Sequence, residues 1–477
     1  MTDCNQLTFE FQAIGNRKIV AGFSGGHISS DGGGLLVREL DKRLGLVRRL
    51  SGCFQDYRDK RYTEHSLESL IAQRLLGVVL GYEDLNDHDR LRLDPLLAVV
   101  AGNKDVCGKN RKKECDKGKA LAGRSTLNRL ELGAESLDGR YKKISASPDD
   151  IEALLIHEGV KAIPRRSKEI VLDFDATDDP LHGQQEGAYF HGYYKNYCYL
   201  PLYCFCGSIP LLAKLRDSKR DACSGTVDAL KKIVPVIRKR FGRKIKIIVR
   251  GDSGFAREEI MKWCEDNGVY YIIGMARNSR LSAELDELFN ELKAAVEDGS
   301  RSLPCRMFKD FDYITHTSWT AKRRIIGKAE LLKLGANPRF IVTNIPREGI
   351  AEVDAERSSP KYLYESLYCA RGDMENRIKE EQLDLFADRT STHWMASNQL
   401  RLWFSAFAHL LVSRLRAEVL QGTELANATV GRIRLQLFKI GARVKVSVRR
   451  VLVEFASSCP YLNTFALAYR NLINFCP

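Results

Sequence analysis

The chain has 477 residues, 44% of them hydrophobic, and carries 75 Lys and Arg against 61 Asp and Glu, a formal charge of +14. That length and polarity exclude a chain without a core and allow roughly three globular domains. The positive balance favours an anionic partner, nucleic acid first, because phosphate contacts dominate such binding.

Thirteen cysteines are scattered without paired spacing, and an odd count fits a reducing cytoplasm better than a disulfide framework. Cys198, Cys204 and Cys206 lie in a strand-like apolar run with no second Cys/His pair, so they read as small core residues rather than zinc ligands. The N-terminus lacks the basic-then-apolar layout of a signal peptide. Tyr197 to Ala213 is uncharged, yet Pro201, Pro210 and Gly207 interrupt it, which predicts two strands around a turn and no membrane span.

Residues 1–165 read as mostly helical after a short extended start at Leu7 to Gln12. The glycines Gly25, Gly26, Gly32, Gly33 and Gly34 form a loop ahead of the helical pattern Leu35, Leu36, Leu40, Leu44, but no Lys-Ser/Thr follows them, so this is no phosphate loop. Ser66 to Leu80 is an amphipathic helix. After it, Asp84, Asp87 and Asp89 lack the spacing of a calcium loop and read as caps and surface pairs. Lys104 to Arg124 holds eight basic residues, Lys112 and Lys113 among them, and is either a solvated loop or a DNA-backbone contact.

From Ile170 the period changes. Ile170-Val-Leu-Asp-Phe-Asp-Ala is a buried strand in which Val171, Asp173 and Asp175 face one side and Ile170, Leu172 and Phe174 the other. Carboxylates leaving a central strand need a basic partner or a cation, unless Asp175 or Asp178 simply caps the turn before Pro180. Runs at Tyr197 to Cys206 and Ile209 to Arg216 follow, then a helix at Asp221 to Phe241, a strand at Ile245 to Val249, a helix at Glu258 to Asn267 and a strand at Val269 to Gly274. Antiparallel strands followed by alternating helices and strands describe a mixed α/β sheet with helices on its faces. Its fourth strand delivers Arg250-Gly-Asp252-Ser-Gly-Phe255 at the end where open sheets place ligands.

Residues 281–350 break the alternation with a β-rich insertion whose basic edge includes Arg323. A helix is expected from Tyr362 to Phe386. At about 100° per residue it sets Tyr368, Arg371, Glu375 and Gln382 within about 60° of one another. An Arg371–Glu375 surface ion pair would explain part of that pattern equally well. Asn398 to Val419 is a further helix in the closing stretch 351–420, and 421–477 is basic.

Together the Asp-Ala-Thr after the first strand, the Gly-Asp-Ser-Gly-Phe after the fourth, and the Tyr-x-x-Arg-x-x-x-Glu helix beyond a β insertion resemble the DDE transposases of bacterial insertion sequences. The resemblance covers nearly the whole chain. It implies a ribonuclease H-like catalytic core at 166–280 and 351–420, interrupted by the insertion at 281–350, with a helical DNA-binding region at 1–165. By it Asp175, Asp252 and Glu375 match the catalytic, metal-holding acids, with Asp173 the alternative for the first. Tyr368 and Arg371 match positions that hold DNA phosphate. Where the pattern has Lys, this chain has Gln382, with Lys379 one turn after Glu375 as a substitute.

The resemblance further implies two Mg²⁺ ions, with Mn²⁺ able to replace them, terminal inverted repeats and target DNA as partners, and a homodimer in the synaptic complex of a bacterial nucleoid. Acids from three distant positions suit a pair of hard cations at a scissile phosphate. A ribonuclease H-like nuclease, or an inactive DNA-binding derivative of a transposase, would share these features.

Overall fold

The structure is a computed structural model that describes residues 8–132, 143–347 and 355–476. The chain divides into two compact units: Met1–Ser147 with Asp384–Phe386 and Leu411–Pro477, and Pro148–Leu383 with Ala387–Leu410.

The second unit is built on a nine-stranded mixed sheet. Its order is Ile209–Lys214, Leu202–Cys206, Glu169–Ala176, Lys246–Gly251, Tyr270–Met275, Arg339–Thr343, Arg323–Leu332 and Cys305–Tyr313, with Gly335–Ala336 added on Arg323–Leu332. Lys246–Gly251 runs parallel to both of its neighbours, while the flanking pairs are antiparallel. Parallel neighbours need crossovers, which Thr226–Phe241 and Glu258–Asp266 supply on either side of that strand.

The alternation expected in Glu169–Ala176 holds: Ile170, Leu172 and Phe174 enter one core with Leu230, Ile233 and Val249. On the reverse side Val171 packs against a smaller core of Ile248, Ile272, Ile341 and Leu363. Asp173 is therefore carried inward with Val171, and only the end of the strand brings a carboxylate out.

Three local departures from the sequence reading have plain causes. Pro201 cannot donate to a ladder, so the run expected from Tyr197 to Cys206 divides into Asn196–Tyr199 and Leu202–Cys206. Asn196–Tyr199 instead joins Asp179–Pro180 and Tyr189–His191 in a separate three-stranded sheet. The strands of the β-rich stretch hydrogen-bond to Tyr270–Met275 through Arg339–Thr343 and so extend the main sheet. Ile325, Ile326, Ile341 and Val342 are fully buried there, which leaves no apolar edge exposed. The boundary expected at 350 lies outside the described residues. The third departure is the helix expected from Tyr362 to Phe386, which is π-helical over Leu363–Tyr368, tightens to a 3₁₀ turn at Cys369–Arg371, and is regular α only over Gly372–Leu385. Such irregular turns are frequent where side chains must be re-aimed.

The first unit is mainly helical around Leu67–Leu80, whose Ser66 cap accepts from Ser69 N at 3.1 Å and whose residues Leu70 to Leu80 are all buried. The glycine loop is a close chain crossing. Gly32 N donates to Ile440 O at 2.9 Å and Gly33 N to Phe438 O at 3.1 Å, and a Cβ on Gly33 would collide with the Leu437 carbonyl. Among the described residues no helix is long and apolar enough to cross a membrane, and the cysteines are free thiols.

Candidate active site

In the parallel pair, Arg250 stands opposite Asp173. Two residues further along each strand, on the same sides, come Asp252 and Asp175, so both acids leave the sheet together at its carboxyl end. The lower pair is closed. Asp173 is 2% exposed and Arg250 grips it with both prongs of its guanidinium, Nη2 lying 2.8 Å from Oδ2, while Nη1 donates to the Leu367 carbonyl. Burial pushes the Asp173 carboxyl up, against the pull of Arg250.

The upper pair is open. Asp175 Oδ1 accepts from the Ala176 amide at 2.9 Å. Burial pushes its carboxyl up to about 6; Arg371 opposes the rise, and the nearby charges of Asp252 and Glu375 add to it. Asp252 Oδ1 accepts from Gly254 N at 2.8 Å, which pins the turn Ser253–Phe255. Arg371 bridges the other two acids, with Nη1 3.2 Å from Asp175 Oδ2 and Nη2 2.5 Å from Glu375 Oε1. The Tyr368 hydroxyl lies beside them: burial raises it, and it senses both Arg371 and Asp252. The structure thus brings Asp175, Asp252, Glu375, Arg371 and Tyr368 into one neighbourhood.

Gly274 keeps that neighbourhood narrow. A Cβ there would strike the Tyr368 hydroxyl and lie 3.0 Å from Ser253 N. Gly274→Ala is expected to fold, with a small loss of Tm, yet to slow cleavage by about tenfold or more, because it shifts the turn carrying Asp252. Single-turnover cleavage rates beside a thermal melt would check this; an unchanged rate would show that the close approach is unimportant.

Among the described residues no three His, Cys, Asp or Glu side chains stand close enough, as placed, to hold an ion. The cation between Asp175 and Glu375 is the Arg371 guanidinium. By donor type the site suits a hard divalent cation, since it offers carboxylate oxygens from three segments, and the crowding that raises Asp175 is what added positive charge relieves.

The remaining residues singled out from the sequence lie elsewhere. Lys379 is exposed on the outer side of Gly372–Leu385. Gln382 Nε2 reaches back to Asp179 Oδ1 at 2.9 Å and to the Asp178 carbonyl at 3.3 Å, so it braces the segment that follows the acid strand. Arg323 is a correction to the expected basic edge: its side chain is 3% exposed and is held by Glu258 at 2.5 Å and Glu265 at 2.7 Å, an interior ion cluster rather than a DNA-facing charge. Lys112 and Lys113 line a cavity of about 910 Å³ in the first unit, together with Arg58, Arg92, Arg111 and Arg124. His65, also lining it, is held near pKa 4 by burial and then by Arg111 and Arg58, a sign of strong positive potential.

Sequence reasoning missed Arg250, Gly274 and the cavity residues Arg58 and His65. For Arg250 a signal was present, since it precedes Asp252 by the same two-residue step that separates Asp173 from Asp175.

No curated protein sequence matches the chain. Among solved structures it is similar to a piggyBac transposase synaptic complex with hairpin DNA, at 11% identity and a TM-score of 0.39, over 86% of this chain and 80% of that one. The family model described as Transposase DDE domain group 1 matches residues 11–476. With nearly its whole length matched, the chain belongs to the DDE transposase family.

Proposed function

We propose that the protein binds the terminal inverted repeats of a bacterial insertion sequence and cuts and rejoins DNA at Asp175, Asp252 and Glu375, on a ribonuclease H-like core. The observation that carries this reading is the meeting of three carboxylates from separate chain segments around one guanidinium.

Asp175, Asp252 and Glu375 would hold two divalent cations, Mg²⁺ or Mn²⁺, which relieve charge on the scissile phosphate and lower the pKa of an attacking water. Arg371, freed from the carboxylates, turns its planar fork to a phosphate, for which its paired donors are suited. Tyr368 sets the side of the site opposite Glu375 through its approach to Asp252. The anchored turn at Gly254 keeps Asp252 from rotating away. Cleavage leaves a 3′-hydroxyl on the element, which attacks target DNA in the same site. The basic cavity with Lys112 and Lys113 takes backbone phosphates, and two protomers pair the element's ends.

The test is incubation of the purified protein with a short duplex carrying the element's end, with Mg²⁺ and with EDTA. Metal-dependent cleavage followed by joining is expected. Cleavage without joining would identify a nuclease, and binding alone an inactive derivative. Binding is also expected to weaken by about 10³-fold or more between 50 and 200 mM salt, on the scale for six or more phosphate contacts; a flat response would remove the role given to the basic cavity.

A further inference from the structure

We propose that the hairpin Tyr189–His191 to Asn196–Tyr199 is a stacking platform for an unpaired base of the DNA strand held at Asp175 and Asp252. The inference rests on the DNA-cutting reading above and adds to it a second contact, with a nucleobase instead of a phosphate.

Position is the first support. The hairpin pairs with Asp179–Pro180, the segment that directly continues the acid strand. Its tip reaches back to the acids: burial and then the charges of Asp178 and Asp175, with Asp252 further down, hold the Tyr194 phenol up at about 12.

Exposure is the second. Tyr193, Phe190 and Tyr197 are 83%, 58% and 55% exposed, an unusual concentration of rings in water beside a polar site. Phe190 and Tyr197 have a structural use as a cross-strand pair, 5.6 Å apart and edge to face, which steadies the two strands. Tyr193 has no such use. It sits in the turn, its ring touches only Tyr194 edge to face at 5.0 Å, and the rest of it faces solvent.

Charge decides the occupant. The turn is closed by Lys195, left-handed at φ 53, whose amide donates to His191 O at 2.8 Å and whose side chain is exposed. Lys219 Nζ stands 3.7 Å over the Tyr189 ring. Rings alternating with lysines match the alternation of bases and phosphates in single-stranded nucleic acid, and every base offers a π-face, so the platform needs no particular sequence. A base can reach it only after leaving the duplex, and that release opens the backbone beside it to the three acids.

The experiment uses full-length protein and two versions of the end duplex, one fully paired and one mismatched at the base pair flanking the cut. Tyr193→Ala is expected to cut the paired end about tenfold more slowly, the scale of one lost base stack, and to recover on the mismatched end, where unpairing is already done. Tyr193→Phe keeps the ring and is expected to cut both normally. At this exposed position both variants should melt as the wild type does. An unchanged rate for Tyr193→Ala, a loss shared by Tyr193→Phe, or a defect that the mismatch does not relieve would each overturn the platform while leaving the cutting site intact. Failure of the wild type to cut either duplex would instead sink the parent reading, and the platform with it.

Discussion

Asp175→Asn, Asp252→Asn and Glu375→Gln are each expected to remove strand cleavage while leaving duplex binding in place. An amide keeps the shape and loses the charge, so the loss falls on cation binding and not on folding. The drop should be at least on the order of 10²–10³ in rate, the scale seen when one preorganised electrostatic partner is removed. Asp175→Asn carries a second signature. The Asp175 carboxyl titrates near 6 in the fold, above its ordinary 3.8, chiefly because it is buried. A raised acid favours the folded state below both values and weakens it as pH climbs from about 4 to about 6. In EDTA at pH 7 the asparagine variant should therefore be more stable by about 1–3 kcal/mol, a gain that vanishes below about pH 4. Cleavage assays with paired melts would decide. If Asp173→Asn stopped cleavage with the fold unharmed, while Asp175→Asn cut normally, the first acid would have been misassigned.

The second large effect is one of stability. Arg250→Met leaves the Asp173 carboxylate buried without its partner and should cost about 3–5 kcal/mol, the range for breaking an interior ion pair from one side. Asp173→Leu combined with Arg250→Met should recover most of that loss, because an apolar pair of similar volume avoids the desolvation of both charges. Denaturant unfolding of the single and double variants measures this directly. Equal instability in both would mean that the Leu367 carbonyl, left without the Arg250 donor, accounts for the damage.

What could be read from the chain alone was whatever lies along it. The two-residue alternation of Ile170 to Asp175 correctly separated core from carboxylates, and the strand ending at Gly251 was visible as an apolar run ahead of Asp252. The pairing of Asp173 with Arg250 spans 77 positions, and no local period encodes it. For the same reason Arg323 read as a basic edge: Glu258 and Glu265, which bury its charge, lie on a helix far back in the sequence. The bend of the signature segment into π and 3₁₀ turns was hidden because its residue types suit a regular helix. Gly33 and Gly274 looked like ordinary loop and strand glycines, since what excludes a side chain at each is a remote backbone or hydroxyl.

The buried ion pair lies one rung below Asp175 and Asp252 on the same parallel ladder. A one-residue slip would turn Arg250 away from Asp173 and strand a charge in the interior, at the same moment that it parted the two acids above. Threading errors at this point would thus surface as chains that fail to fold, so the surviving population has its cutting residues in line without any separate proofreading of the site.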